Sequence, residues 1–157
     1  MQTLITPAQV VALAFADGEY ISPEALLEAD IAAASHSYIE PVAGRALCDA
    51  LAAGRYPELL ADYVAPALAM AVRTLLQRAL NVRRGQMGLV VPDISGSQTA
   101  VQSAAAELQR SLTERRRLLL GRLSDYLAAN EEQFPEYDAS HDAMRKCRIY
   151  GGFVQIR

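Results

Sequence analysis

Between Leu59 and Leu80 the chain carries an apolar stripe of Leu59, Leu60, Tyr63, Val64, Leu68, Ala71, Val72, Leu75, Leu76 and Leu80. A stripe this broad at three-and-four spacing is stable only when neighbouring elements cover it on several sides. The spacing therefore predicts a central core helix from Pro57 to about Asn81, interrupted and bent at Pro66. The rest of the chain must supply its cover.

Helix-start signals recur upstream of that stripe. Thr6–Pro7 is an N-cap followed by proline at the first helical position, and Ser22–Pro23–Glu24 repeats the device. The first predicted helix is short, Pro7 to about Phe15, and ends in the turn "ADGEY". The second starts at Pro23 and carries Ala25, Leu26, Ala29, Ala32, Ala33 and Tyr38 or Ile39 on one face as far as Pro41. Pro41 lacks a backbone donor and Gly44 tolerates a left-handed backbone, so "PVAG" is expected to break the helix into a corner. A third helix, Arg45 to about Ala53, stops at Gly54, and Pro57 restarts the chain.

Downstream of the core helix, "RRGQMGLVVPDISGS" brackets the short β-forming run Leu89 to Val91 with glycines and Pro92, which predicts a loop or small hairpin near residues 86–92. Helical periodicity returns at Thr99 and persists to about Asn130, a helix about 45 Å long at about 1.5 Å per residue. "FPEY" breaks it, and a weakly helical turn is expected over Ser140 to Lys146. The last segment, "CRIYGGFVQIR", has the β-branched and aromatic character of an extended tail. Such a tail pairs either with Leu89 to Val91 of its own chain or with an edge on another molecule.

The fold expected from these signals is mainly α: a small helical bundle in one domain over 1–157, with residues 148–157 as a possible docking arm. The 157-residue length allows a core that buries roughly 70% of the unfolded surface. Composition agrees, with 52% hydrophobic residues, 6% aromatic and no tryptophan. A net charge of −3 gives no global attraction to nucleic acid or an anionic membrane. Fourteen of the fifteen cations are arginine, a bias that fits forked hydrogen bonds at interfaces and equally follows from GC-rich coding. Two cysteines are too few for a disulfide framework, which points to reduced thiols in an intracellular setting. No signal peptide is read at the N-terminus, and no segment is expected to approach a membrane span.

A search for chemistry in the sequence yields little. His36 has no second ligand at close helical spacing, and His141 has only Asp138 and Asp142 nearby. Cys48 lies between Leu47 and Leu51 and reads as a small core residue; Cys147 has no cysteine partner in its segment. GxxxxGK[ST], GxGxxG, GxSxG and HExxH are all missing from the sequence. The expectation is no enzyme, with no catalytic, metal-binding or cofactor-binding residues.

Arginines offer more. Arg110, Arg115, Arg116, Arg117 and Arg122 spread around the last helix at about 100° per residue, the pattern of a solvated face with internal salt bridges through Glu107 and Glu114. The functional alternative assigns Arg110, Arg115, Arg116 and Arg117 to contacts with a neighbouring subunit or with DNA phosphates in a channel. Arg83 and Arg84 suit the negative end of the core helix.

The succession "ITPAQVVALAF", "ISPEALLEADIAAASHSYIEPVAGRALCDAL", "YPELLADYVAPALAMAVRTLL", "GLVV", a long helix, "FPEYD" and "CRIYGGFVQIR" resembles the small head-tail connector (adaptor) proteins of tailed bacteriophages and prophages. The resemblance runs over nearly the whole chain, and its motifs are structural. It implies a virion protein, made in the bacterial host cytoplasm, that forms a homo-oligomeric ring under the portal and joins capsid to tail. The implied partners are other copies of the chain, the portal protein, a tail-side protein and, non-specifically, passing DNA. Ile149, Tyr150, Phe153, Val154, Ile156 and Arg157 of the tail are the candidate contacts with the portal or an adjacent subunit. The loop "GQMGLVVPDISGSQ" is longer than the family pattern, so channel-lining residues are not assigned to it.

Two rival readings come from other classes. A stand-alone helical ligand-binding or regulatory domain would place a pocket within the apolar stripe, but it lacks a helix-turn-helix with basic recognition residues and convergent polar groups. A small enzyme would have to use His141 with Asp138 or Asp142.

Overall fold

The computed structural model describes residues 3–15, 21–80, 83–85, 88–90, 98–146, 148–150 and 153–155. Helix α1 (Pro7–Ala14) starts as its capping signals predict, with proline in the first turn. Thr6 Oγ1 accepts from the Gln9 amide, and Gln9 Oε1 accepts from the Thr6 amide at 2.8 Å, a reciprocal capping box. The turn "ADGEY" lies outside the described residues.

Pro23 opens only a 3-10 turn, Pro23–Ala25, and the Ser22 side chain makes no cap bond. The second long helix starts later than predicted, at Glu28, as α2 (Glu28–Ala34). It then passes through a π segment, Ser35–Ile39, into α3 (Glu40–Ala43). Pro41 therefore does not break the helix; it lies within α3, and the expected corner moves to Gly44. Gly44 adopts φ +83° and ψ 152°, a backbone that only glycine holds without strain, and α4 (Arg45–Ala52) follows directly.

The same π device occurs again in the core helix. Its pieces are α5 (Pro57–Leu59), a π segment over Leu60–Val64, and α6 (Ala65–Leu80), with Pro66 near the start of α6. Each π segment ends two residues before its proline. In each the closing amide reaches back five residues, Glu40 N–H to the Ser35 carbonyl and Ala65 N–H to the Leu60 carbonyl. A proline cannot bond the carbonyl four residues earlier and its ring crowds that carbonyl. Widening the preceding turn by one residue removes the conflict while the helix continues.

Between α4 and α5 the chain reverses at Gly54, φ +83°. Arg55 N–H donates to the Ala50 carbonyl and Gly54 N–H to the Leu51 carbonyl, each at 3.0 Å, which completes a Schellman cap as the sequence predicts. Tyr56 follows in a left-handed conformation at φ 55°, unusual for a side chain of its size.

Helix α6 is the hub, packed by α1, α2 and α7. Ala67, Leu68, Ala69, Met70, Ala71 and Val72 are all at most 1% exposed, so burial covers every side of the helix at that level. Each large apolar side chain there contributes about 1.5–3 kcal/mol. By length and composition Pro57–Gln77, with mean hydropathy 1.5, would be able to cross a membrane, contrary to the sequence expectation. In this fold 61% of that apolar window is buried inside the protein. Arg73 of α6 donates to the Ala14 carbonyl at the end of α1 and lies 4.6 Å over the Phe15 ring, placing a cation at the negative end of that helix.

Strands β1 (Arg83–Gly85) and β2 (Gly88–Val90) form a hairpin with Arg83 opposite Val90. Helix α7 (Gln98–Ala129) is the longest element, about 48 Å at about 1.5 Å per residue. It buries Leu112, Leu120, Leu123 and Leu127 against the bundle. A 3-10 turn, Glu131–Gln133, leads into a strap over 134–146 made of turns, where a weakly helical turn was expected. Among the described residues no tail strand pairs with the Leu89 strand. Instead β3 (Arg148–Tyr150) and β4 (Phe153–Gln155) pair with each other as a separate hairpin. The molecule is mainly α, with one apolar core running from Ile5 to Tyr137.

Candidate functional site

The arginines on α7 do not act as one set. Arg116 lies on the stripe of the buried leucines; its guanidinium sits 4.3 Å over the Tyr38 ring, and its Nε is buried with no hydrogen-bond partner among the described residues. Arg122 covers Tyr63 at 4.8 Å. Arg110, Arg115 and Arg117 are exposed and remain available to a partner. A step of two residues rotates a helix by about 200°, so the face carrying Leu118 lies opposite Arg116. Leu118 is 74% exposed, the largest value for a large apolar side chain among the described residues. Around it Glu114, Arg117, Gly121, Arg122, Asp125 and Met144 line an open groove of about 750 Å³, with two carboxylates and two guanidinium groups on its walls.

The C-terminal end of α7 meets an aromatic run. Tyr63 stacks on Tyr126 with centroids 4.0 Å apart, Tyr126 leans on Phe134 at 6.1 Å, and Phe134 meets Tyr56 edge-on at 5.0 Å. Tyr56 is held in its left-handed backbone from both ends of its ring. Its hydroxyl donates to Glu136 at 3.0 Å and accepts from Arg55 at 2.9 Å, and Arg55 also pairs with Glu136. Desolvation and the bond to Glu136 push the Tyr56 hydroxyl upward. Desolvation opposes ionisation of Glu136, but its own amide, Tyr56 and Arg55 outweigh it and hold the carboxyl below its ordinary value.

Asp142 is fully buried beneath the strap. It accepts from Ser124 Oγ at 2.6 Å, from the Tyr137 hydroxyl at 2.8 Å and from the Met144 amide at 2.8 Å. Burial, then the Asp142 contact, pushes the Tyr137 hydroxyl well above its usual range. The Ser124 bond ties the strap to α7, and the other two close the strap on itself. Asp142 is accordingly spent on structure, and His141 turns elsewhere. His141 Nδ1 lies 2.6 Å from Asp138 Oδ2 and 3.2 Å from Ser140 Oγ. One nitrogen facing both groups cannot relay a proton from serine through imidazole to carboxylate, which needs the two ring nitrogens separately. Asp138 is lowered to about 2, first by Ser140 and then by His141, as an exposed, fully satisfied turn carboxylate is.

His36 Nδ1 pairs with Glu40 at 2.8 Å on the edge of a groove of about 600 Å³ also lined by Arg45, Cys48 and Asp49. Burial, then the charges of Glu40 and Asp49, push the Cys48 thiol up to about 12. It is a protonated core thiol and a poor nucleophile. Among the described residues no group of three or more His, Cys, Asp or Glu side chains is arranged to hold a metal.

Of the tail residues singled out in the sequence, Ile149 and Tyr150 are on β3, and Phe153 and Val154 are on β4. Ile156 and Arg157 lie outside the described residues, as does Cys147. The sequence did not reveal Leu118 as an exposed centre, because Leu118, Leu119 and Leu120 read alike and only the rotation of α7 separates them. Asp142 was likewise hidden: its partner Ser124 lies on another element, and Tyr137 reaches it only through the turns of the strap.

Residues 24–146, from the 3-10 turn through the strap, match the model of a family of unknown function, DUF6712. The chain belongs to that family. Neither the curated proteins nor the solved structures contain a match.

Proposed function

We propose that this member of the DUF6712 family is a structural virion subunit: a head-tail connector that self-associates into a ring under the portal of a tailed phage or prophage. The observation that carries the reading is the solvent face of α7, where a large apolar residue, Leu118, stands 74% exposed beside the exposed Arg115 and Arg117. Leu118 lies in an open groove with Gly121 and Met144, an apolar surface that a neighbouring subunit would cover. The order of elements quoted from the sequence, with its resemblance to connector proteins, supplies the particle in which the covering takes place. In this reading the β3–β4 hairpin and the chain beyond it form the arm toward the portal or an adjacent subunit. Exposed arginines of α7 contact neighbouring subunits or passing DNA, and the assembled protein resides in the virion after synthesis in the host cytoplasm.

The test is assembly with the cognate portal protein. Light scattering and negative-stain images of the purified chain, alone and with portal, should show rings or portal-bound rings. A chain that stays monomeric and ignores the portal would defeat the reading. Deleting residues 148–157 should leave the helical circular dichroism unchanged while portal binding is lost.

A further inference from the structure

The two halves of α7 are held in different ways. From Leu112 onward its inner face is apolar, with Leu112, Leu120, Leu123 and Leu127 buried. The same stretch is anchored on three other elements: Arg116 lies over Tyr38, Tyr126 stacks on Tyr63, and Ser124 donates to Asp142. N-terminal to Leu112 none of the described side chains of 103–111 is buried, and Leu108 is 37% exposed.

Helix α6 changes character at the level that faces this transition. Among its described residues Val72 is the last apolar one that is buried; beyond it the buried residues are Arg73, Thr74 and Gln77, while Leu75 is 41% exposed. Gln109 Nε2 donates to the Thr74 carbonyl at 3.2 Å, which sets the two levels side by side. Gln109 Oε1 is buried there with no hydrogen-bond partner among the described residues. A buried acceptor without a donor favours any state in which water reaches it.

Both helices are also softened in this layer. Thr74 Oγ1 donates to the Met70 carbonyl at 2.7 Å, and Thr113 Oγ1 donates to the Gln109 carbonyl at 2.8 Å. A threonine hydroxyl that bonds back four residues competes with the helix's own amide for that carbonyl and bends the helix. Apolar packing therefore stops, an acceptor is orphaned, and the two helices carry the same bending device, all within one layer.

We propose that the Thr74–Gln109–Thr113 layer is a hinge, about which the outer part of α7, residues 98–111, undocks from α6 while the part from Leu112 onward stays packed. The moving piece is about 20 Å of helix at about 1.5 Å per residue. Undocking admits water to Gln109 Oε1 and uncovers little apolar surface, because the described side chains of 103–111 already meet solvent. Such an opening lies well below global unfolding in free energy. The outer helix can then change direction while the core remains folded.

Hydrogen–deuterium exchange of the full chain, read peptide by peptide by mass spectrometry, tests the hinge. Amides of 103–111 should be protected about tenfold less, or weaker still, than those of 115–127, with the change falling at Leu112. Gln109→Leu removes the orphaned acceptor and supplies an apolar contact, so it should raise protection over 103–111 by about threefold or more and leave 115–127 unchanged. Thr113→Ala removes the back-bond and improves helix propensity; it should move protection the same way without depending on how a leucine packs in the layer. Equal protection along the whole of α7 would overturn the hinge. So would a difference that neither substitution changes, since fraying from the helix end would then account for it.

Discussion

The backbone amide of Ala143 donates a 2.8 Å hydrogen bond to the carbonyl of Pro41. That carbonyl is one of the last in its helix and has no successor turn to bond, because Gly44 turns the chain away. The strap thus completes the end of the α3 turn, while the neighbouring Asp142 fastens the strap to α7. One short segment thereby joins α3 to α7.

Asp142→Ala should therefore be the most damaging single change outside the apolar core. It strands the Ser124 and Tyr137 hydroxyls and the Met144 amide in a buried site, a loss of about 2–4 kcal/mol. Tyr137→Phe removes one of the three bonds and should lose only about 1 kcal/mol. Urea unfolding followed by far-UV circular dichroism measures both; equal effects would mean that Asp142 is not the centre of the network.

Pro41 and Gly44 should respond to alanine to very different degrees. Gly44→Ala places a side chain at φ +83° and ψ 152°, where no neighbouring atom lies within 4 Å of the new Cβ, so its effect is purely backbone strain of about 1–3 kcal/mol. Pro41→Ala restores a donor to a helix already continuous through that position and should change the melting temperature far less. A larger loss at Pro41 than at Gly44 would contradict the π-segment account.

The Cys48 thiol, pushed up to about 12, should resist alkylation in the folded protein. At pH 8 only about one molecule in 10,000 carries the thiolate. In a Cys147→Ser background, iodoacetamide labelling should be slow without denaturant and should accelerate sharply through the urea transition. Rapid labelling of the native chain would show that Cys48 is reachable and ionised.

Acid should weaken the turn at Asp138. Its folded value, about 2, lies below its ordinary value near 4, so its contribution is fully present above about pH 4 and is lost as the pH falls toward 2. Glu136 is lowered as well and adds to the same trend. Asp138→Asn should be less stable than wild type at pH 6 and indistinguishable from it near pH 2, as read by thermal melts across that range. A gap between the two proteins that does not depend on pH would rule out the charged form as the source.

The predictable part of this protein was local. The first-turn prolines of α1 and α5, the Thr6 cap and the Gly54 cap are decided by backbone chemistry within a few residues, and they lie where the sequence places them; the core helix also forms as its stripe predicts, although Leu75 of that stripe is exposed. The errors share one cause. Ser22 and Pro23 look like a helix start and Pro41 looks like a break, yet α2 begins at Glu28 and continues past Pro41, because packing against α6 holds the helix together and a π turn absorbs the misfit. Local preferences of about 1–3 kcal/mol are outweighed by burial of a whole helix face.

The sequence by itself settled that the chain is a helical bundle around one apolar helix, since no other arrangement hides that stripe from water. Only the tertiary structure decided which of three consecutive leucines on α7 faces solvent, that Arg116 turns inward to Tyr38, and that Asp142 rather than His141 is the organising polar group of the strap. These outcomes depend on helix rotation and on partners distant in sequence, and neither is encoded in the spacing of residues along a single element.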